Sequence, residues 1–165
     1  ARVPLTVNCR NTLNILDTVK QRLGADMGVR GAGKGPAVRE YTAASPVEAF
    51  ERLAQEIRDL MGPGQLPLSQ ITILSPRPFK ASSAARLPKA LSCHILALDA
   101  WAIRNFPPQA ISFARIHEFK GLENEAVLVV DLPAPESMDH GSTGLAAHYV
   151  AMSRARSILS LIYTA

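Results

Sequence analysis

The stretch Ala126-Val127-Leu128-Val129-Val130, continued to Leu132, constrains the fold more than any other part of the chain. A strand with one wet face alternates apolar and polar residues, whereas this run is apolar at successive positions and needs cover on both faces. That is the condition of a central strand in a parallel sheet layered by helices. At five aliphatic residues it falls far short of the roughly 20 needed to cross a bilayer. Further β-branched runs follow the same logic: Ile71-Thr72-Ile73-Leu74, closed by Ser75-Pro76, and Cys93 to Leu98 are predicted buried strands, and Ile111–Ile116 and Ile158–Tyr163 are predicted strands. Pro36 to Thr42 alternates well enough for a shorter one.

Helical patterns lie between these runs. Leu13, Leu16, Val19 and Leu23 recur near the helical period, and Gly24 stands where a left-handed cap belongs. Ser45-Pro46-Val47-Glu48 supplies an N-cap, a first-turn proline and a capping-box glutamate in order. Phe50, Leu53, Ala54, Ile57, Leu60 and Met61 then form one stripe, ended by Gly62-Pro63-Gly64. A third helix is predicted over 143–154, presenting Leu145, Tyr149 and Met152 on one side. Residues 82–91 read as helical and 99–109 as irregular, with Cys93, Trp101 and Phe106 expected to pack inside. Strands alternating with helices predict an α/β domain with a mainly parallel sheet.

Composition agrees: 165 residues, 47% hydrophobic and 19% charged, suit one folded domain and exclude a disordered tail. The net charge of +4, concentrated in the first half, is compatible with a polyanionic partner and no more. Cys9 and Cys93 are far apart, and His94, His117, His140 and His148 show no zinc-type pairing with them. Reduced thiols, no metal held by this chain, no membrane and a cytoplasmic location are the expectations. The chain opens on Ala1, which suggests a piece of a longer polypeptide.

Gly31-Ala32-Gly33-Lys34-Gly35 has the glycines of a phosphate cradle but fails as a P-loop. That loop needs G-x-x-x-x-G-K followed by Ser or Thr, between a strand and a helix. Here Lys34 is followed by Gly35 and Pro36, and a strand comes next.

Three segments carry more information together: Asn8-Cys9-Arg10-Asn11-Thr12, Arg115-Ile116-His117-Glu118-Phe119-Lys120-Gly121-Leu122-Glu123 and Tyr149-Val150-Ala151-Met152-Ser153-Arg154-Ala155-Arg156. In order and spacing they resemble motifs IV (8–12), V (115–123) and VI (149–156) of the UvrD/Rep-like superfamily 1 DNA helicases. The resemblance spans nearly the whole chain. It implies a RecA-like, three-layer domain lacking its own P-loop, the second of two motor domains that sandwich ATP. The implied cofactor is ATP with Mg2+, held mainly by the absent first domain. The implied partners are that N-terminal RecA-like domain and single-stranded or duplex DNA.

Residue by residue, the resemblance assigns Arg10 and Arg154 to the γ-phosphate. As the phosphoryl group transfers, charge spreads over its oxygens, and a planar guanidinium meets that charge with two directed hydrogen bonds. Lysine would serve less well. Glu123 matches the carboxylate associated with the nucleotide sugar, and Gly121 permits close backbone approach in the same turn. His117, with Arg115 and Lys120, falls on the side of the single strand, where an imidazole hydrogen-bonds phosphate or stacks on a base. Cys9 departs from the family's aromatic, and Arg115 from its Thr or Ser. The stretch between Arg10 and His117 is too short for the large inserted subdomain of the longest family members. Arg156 is expected to pair with a surface carboxylate. The alternative reading is a non-enzymatic RecA-like adaptor for nucleic acid or protein.

Overall fold

The computed structural model describes residues 8–28, 31–138 and 143–165; His140 lies outside them. Among the described residues six strands form one sheet: β1 (Arg39–Ala43), β2 (Ile71–Ser75), β3 (Ile95–Ala97), β4 (Ile111–Arg115), β5 (Asn124–Pro133) and β6 (Ala155–Thr164). Their order is β1-β6-β5-β2-β4-β3 and every neighbouring pair is parallel. The helices are α1 (Leu13–Leu23), α2 (Pro46–Met61), α3 (Lys89–Ser92), α4 (Ala100–Arg104) and α5 (Thr143–Met152).

The doubly apolar run becomes β5, flanked by β6 and β2. Its side chains divide by the two-residue period of a strand. Ala126, Leu128 and Val130 join Leu53, Ile57 and Leu60 of α2 on one face, while Val127 and Val129 join Ile15 and Val19 of α1 and Ala151 and Met152 of α5 on the other. This is the three-layer α/β architecture expected, and each fully buried aliphatic side chain stabilises it by about 1.5–3 kcal/mol. Two carboxylates are buried among the described residues: Glu56 of α2 accepts hydrogen bonds from Ser160 (2.6 Å) and Tyr41 (3.1 Å) and pairs with Arg39 at 3.3 Å, and Asp131 of β5 accepts from the Ser75 hydroxyl (2.7 Å) and the Ser83 N–H (3.1 Å).

The predicted helix starts hold well. Ser45 Oγ accepts the Glu48 N–H at 3.2 Å, and the Glu48 carboxylate accepts the Ala44 N–H at 2.8 Å. Gly24 caps α1 in the left-handed conformation.

Four expectations are corrected. The run at 93–98 is not buried: β3 is the outer strand, with Leu96 and Ala97 exposed, because the order leaves its far side uncovered. Residues 82–91 do not form one helix but a 3-10 turn over Ser83–Arg86 and the short α3, since Pro88 interrupts between them. Asp99 accepts the Ala102 N–H at 2.8 Å and starts α4 inside a stretch read as irregular. Trp101, on that helix, is 71% exposed, and Cys93 is exposed too, so neither packs inside; Phe106 does, edge-on to Phe119 with ring centroids 5.3 Å apart. On α5 the buried residues include His148, Ala151 and Met152, whereas Tyr149 is exposed.

Candidate nucleotide and nucleic-acid interfaces

The first segment, 8–12, is shaped by two asparagines. Asn8 Oδ1 accepts the backbone N–H groups of Arg10 (2.9 Å) and Asn11 (3.0 Å), which folds the chain into a turn just before α1. Thr12 N–H donates to the Arg156 carbonyl at 3.0 Å and ties that turn to the start of β6. Thr12 makes no side-chain cap for α1. The glycine segment does the capping instead. The Gly33 carbonyl accepts the Leu13 N–H at 2.9 Å and the Lys34 carbonyl accepts the Asn14 N–H at 3.2 Å. A phosphate cradle offers N–H groups, and this loop turns carbonyls to the helix end and occupies two of its free donors. The polarity is the reverse of a P-loop.

Arg154 occupies the turn between α5 and β6. Its guanidinium donates to the carbonyls of Val150 (3.2 Å) and Leu122 (3.3 Å) and to Ser153 Oγ (3.0 Å). Partial burial, and after it the positive charge of Arg10, lower its pKa from the ordinary arginine value. Glu123, at the mouth of β5, pairs with Arg10 at 2.9 Å and with Arg156 at 3.1 Å. The expected surface pairing of Arg156 is therefore present, with Glu123 as the carboxylate. Asn124 N–H donates to the Arg154 carbonyl at 3.1 Å, which sets the second and third segments side by side.

Arg10, Arg154 and Glu123 thus line one cavity of about 580 Å³, together with Cys9, Met27 and Tyr149. It lies where β5 and β6 begin. Gly121, at φ +88, makes the turn before Glu123 and lines a second cavity of about 550 Å³ across the Arg10–Glu123 pair. Three guanidiniums around one carboxylate leave an excess of positive charge, which suits a polyanion. A divalent cation is served poorly there, because Glu123 is already engaged by two arginines.

The middle segment connects two edges of the sheet. β4 ends at Arg115, a 3-10 turn buries Ile116 and Phe119, and the chain has crossed to the opposite edge by Asn124, where β5 begins. Arg115, His117 and Lys120 are therefore grouped away from the arginine cavity. Arg115 Nη2 lies 2.7 Å from His117 Nε2 and its Nε 3.4 Å from Glu118. His117 and Lys120 border an apolar cavity of about 370 Å³ with Pro76, Ile116, Ala147 and Val150. The residues proposed from sequence form two groups joined by one short connection.

Sequence reasoning missed Asn11, Asn124 and Tyr149 as parts of the site. An asparagine at the start of each of two elements, Asn11 two positions before α1 and Asn124 opening β5, was the available signal. Among the described residues, no cluster of His, Cys, Asp or Glu is placed to hold a metal ion, and no helix is long and apolar enough to cross a membrane.

No protein-family model matches the sequence, and no curated protein matches it. Solved structures do. The C-terminal domain of a possible DNA helicase from Lactobacillus plantarum WCFS1 superposes with a TM-score of 0.67 at 16% identity, covering 95% of this chain and 88% of that one. The PRRSV helicase matches with a TM-score of 0.38 at 16% identity, over 98% of this chain and 23% of that one. The chain has a RecA-like α/β fold of the kind found in a helicase C-terminal domain.

Proposed function

We propose that this chain is the second motor domain of a UvrD/Rep-like superfamily 1 helicase or translocase, working on DNA in the cytoplasm with ATP. The observation that carries the reading is the convergence of Arg10 and Arg154, far apart in sequence, on one cavity beside Glu123. Arg154 is partly desolvated and faces a like charge, so an anion entering the cavity relieves both penalties. Arg10 and Arg154 bind and orient the terminal phosphate of ATP, and their guanidiniums offset the charge that grows on its oxygens during transfer to water. Glu123 accepts from a sugar hydroxyl once Arg10 swings from it to phosphate, and Gly121 lets the backbone approach. Mg2+ would add further charge neutralisation and would be held by the first motor domain rather than by residues of this one.

Arg115, His117 and Lys120 bind the DNA strand through phosphate and base contacts. The short connection from His117 to Glu123 carries domain closure at the nucleotide to the strand. Supplying an arginine from a mobile domain is worth roughly 10³–10⁵ in rate in comparable systems, so opening and closing gates hydrolysis. In the intact polypeptide, Arg154→Ala is expected to lower turnover about a hundredfold or more while ATP affinity stays within about tenfold. Steady-state kinetics with a nucleotide-binding titration checks this, and unchanged turnover would remove Arg154 from the reaction.

A further inference from the structure

The asparagine that follows Arg10 has no role in the reading so far, yet it is 1% exposed and uses every polar atom it has. Its side-chain Nδ2 donates to the Ser153 carbonyl at 3.0 Å and the Ala155 carbonyl at 2.6 Å, the two carbonyls that bracket Arg154. Its Oδ1 accepts from Asn8 Nδ2 at 3.0 Å, and its backbone N–H donates to Asn8 Oδ1 at 3.0 Å. Its own carbonyl accepts the Ala32 N–H at 2.8 Å. Three segments therefore meet on one residue: the turn carrying Arg10, the turn carrying Arg154 and the glycine strap. The strap closes so tightly that a Cβ on Gly31 would lie 2.8 Å from the Asn11 carbonyl oxygen and 2.6 Å from the Leu13 nitrogen.

We infer that Asn11 is a positioning residue that holds Arg10 and Arg154 in register as one anion-binding pair. The inference rests on the proposed function for its purpose, though not for its geometry. Arg10 itself is 59% exposed along its side chain, with Glu123 as the ion partner, so its place relative to Arg154 is set by the backbone turn that Asn11 pins. The chemistry is specific to a carboxamide. Two carbonyls demand two donors from one group, and the turn demands an acceptor from the same group. Aspartate would present an anion to both carbonyls, leucine would leave them unpaired, and serine would supply one donor.

The test uses the 165-residue chain with ¹⁵N-labelled arginine side chains. Without any ligand, Arg10→Gln is expected to shift the Arg154 Nε–Hε resonance, and that shift should largely vanish when Asn11→Asp is added. Titration with inorganic tripolyphosphate should move the Arg10 and Arg154 signals along one common binding curve. Asn11→Asp should split the curves and weaken binding roughly tenfold, with Asn11→Ser recovering part of the loss. Thermal melts identify any variant that fails to fold, and Asn11→Ser then carries the comparison. An Arg154 response to Arg10→Gln that persists undiminished in the Asn11 variants overturns the inference, as does the lack of any such response in the parent chain. A parent chain that shows the coupling but ignores tripolyphosphate upholds the positioning role and sinks the phosphate reading instead.

Discussion

Tyr163 shows how a single group registers its surroundings. It is 4% exposed in β6, its hydroxyl has no hydrogen-bond partner among the described residues, and its ring lies 6.1 Å from that of His148. Burial, and after it the negative charge of Glu40, push its pKa well above the usual phenol value. The unfolded chain releases this proton near pH 10. Above that point the unfolded state binds fewer protons than the folded one, so stability falls as pH rises, and below it the contribution is fully present. Tyr163→Phe should flatten this alkaline loss. At neutral pH it should leave stability unchanged or raise it by up to about 1 kcal/mol, because a desolvated, unpaired hydroxyl is removed. Denaturant melts of both proteins at pH 8 and pH 10.5 check the expectation. Arg154 illustrates the same physics with the opposite sign of charge: burial and Arg10 weaken its hold on a proton, and a cation in that state gains most from an incoming anion.

At the scale of elements, the glycine strap is the part whose purpose changed most between sequence and structure. Read along the chain it is a failed phosphate loop; read in space it is the cap of α1. The helix lacks a side-chain cap, and the carbonyls of Gly33 and Lys34 take two of its leading N–H groups. Only a residue without a Cβ fits at Gly31, where the backbone of 11–13 passes within contact distance. Gly31→Ala is expected to cost about 1–3 kcal/mol, the range for overpacking a tight site. Since the strap also bonds to Asn11, the variant should disturb the resonances of the Arg10 turn before global unfolding. Chemical denaturation and amide exchange over 10–14 check both effects. The 116–123 connection is the second informative element. Ile116 and Phe119 are its buried anchors, and Phe106 packs edge-on against Phe119. Its polar residues face outward at either end, so one short passage addresses two surfaces.

For the whole molecule, the architecture places the two candidate surfaces on opposite edges of a single parallel sheet. In open α/β folds ligands usually sit beyond the carboxyl ends of the strands. Here the arginine cavity lies at the beginnings of β5 and β6, and the group around His117 follows the end of β4. A site at the strand beginnings, lined by Arg10 and Arg154 and with its carboxylate Glu123 already engaged by Arg10 and Arg156, offers counter-charge but, among the described residues, no free base to activate water. Accordingly the chain alone should show no ATP hydrolysis above the uncatalysed background, with or without single-stranded DNA. Supplying an upstream domain with G-x-x-x-x-G-K-T, on the same polypeptide, should create DNA-stimulated turnover. A phosphate-release assay on both proteins decides this, and turnover by the chain alone would show that the site is complete without a partner.

Much of this was legible in the linear order of residues. The run at 126–132 required a strand covered on both faces, Ser45-Pro46-Val47-Glu48 required a helix start, and the failed P-loop pattern excluded a phosphate cradle. These are local demands, met by dihedral preferences, capping and the two periodicities of side-chain direction, and they survive any context. Arg10, Arg154 and Glu123 were nominated by resemblance, but their meeting in one cavity depends on strand order, which places the start of β6 beside the start of β5. Likewise the exposure of Trp101 and of Tyr149, the edge position of β3 and the three-way grip of Asn11 follow from which surfaces happen to be covered. Hydrogen bonds between residues 11 and 155 connect positions that no window along the chain compares. Local chemistry chose the elements, and the packing of those elements against one another chose which side chains share water and which share a site.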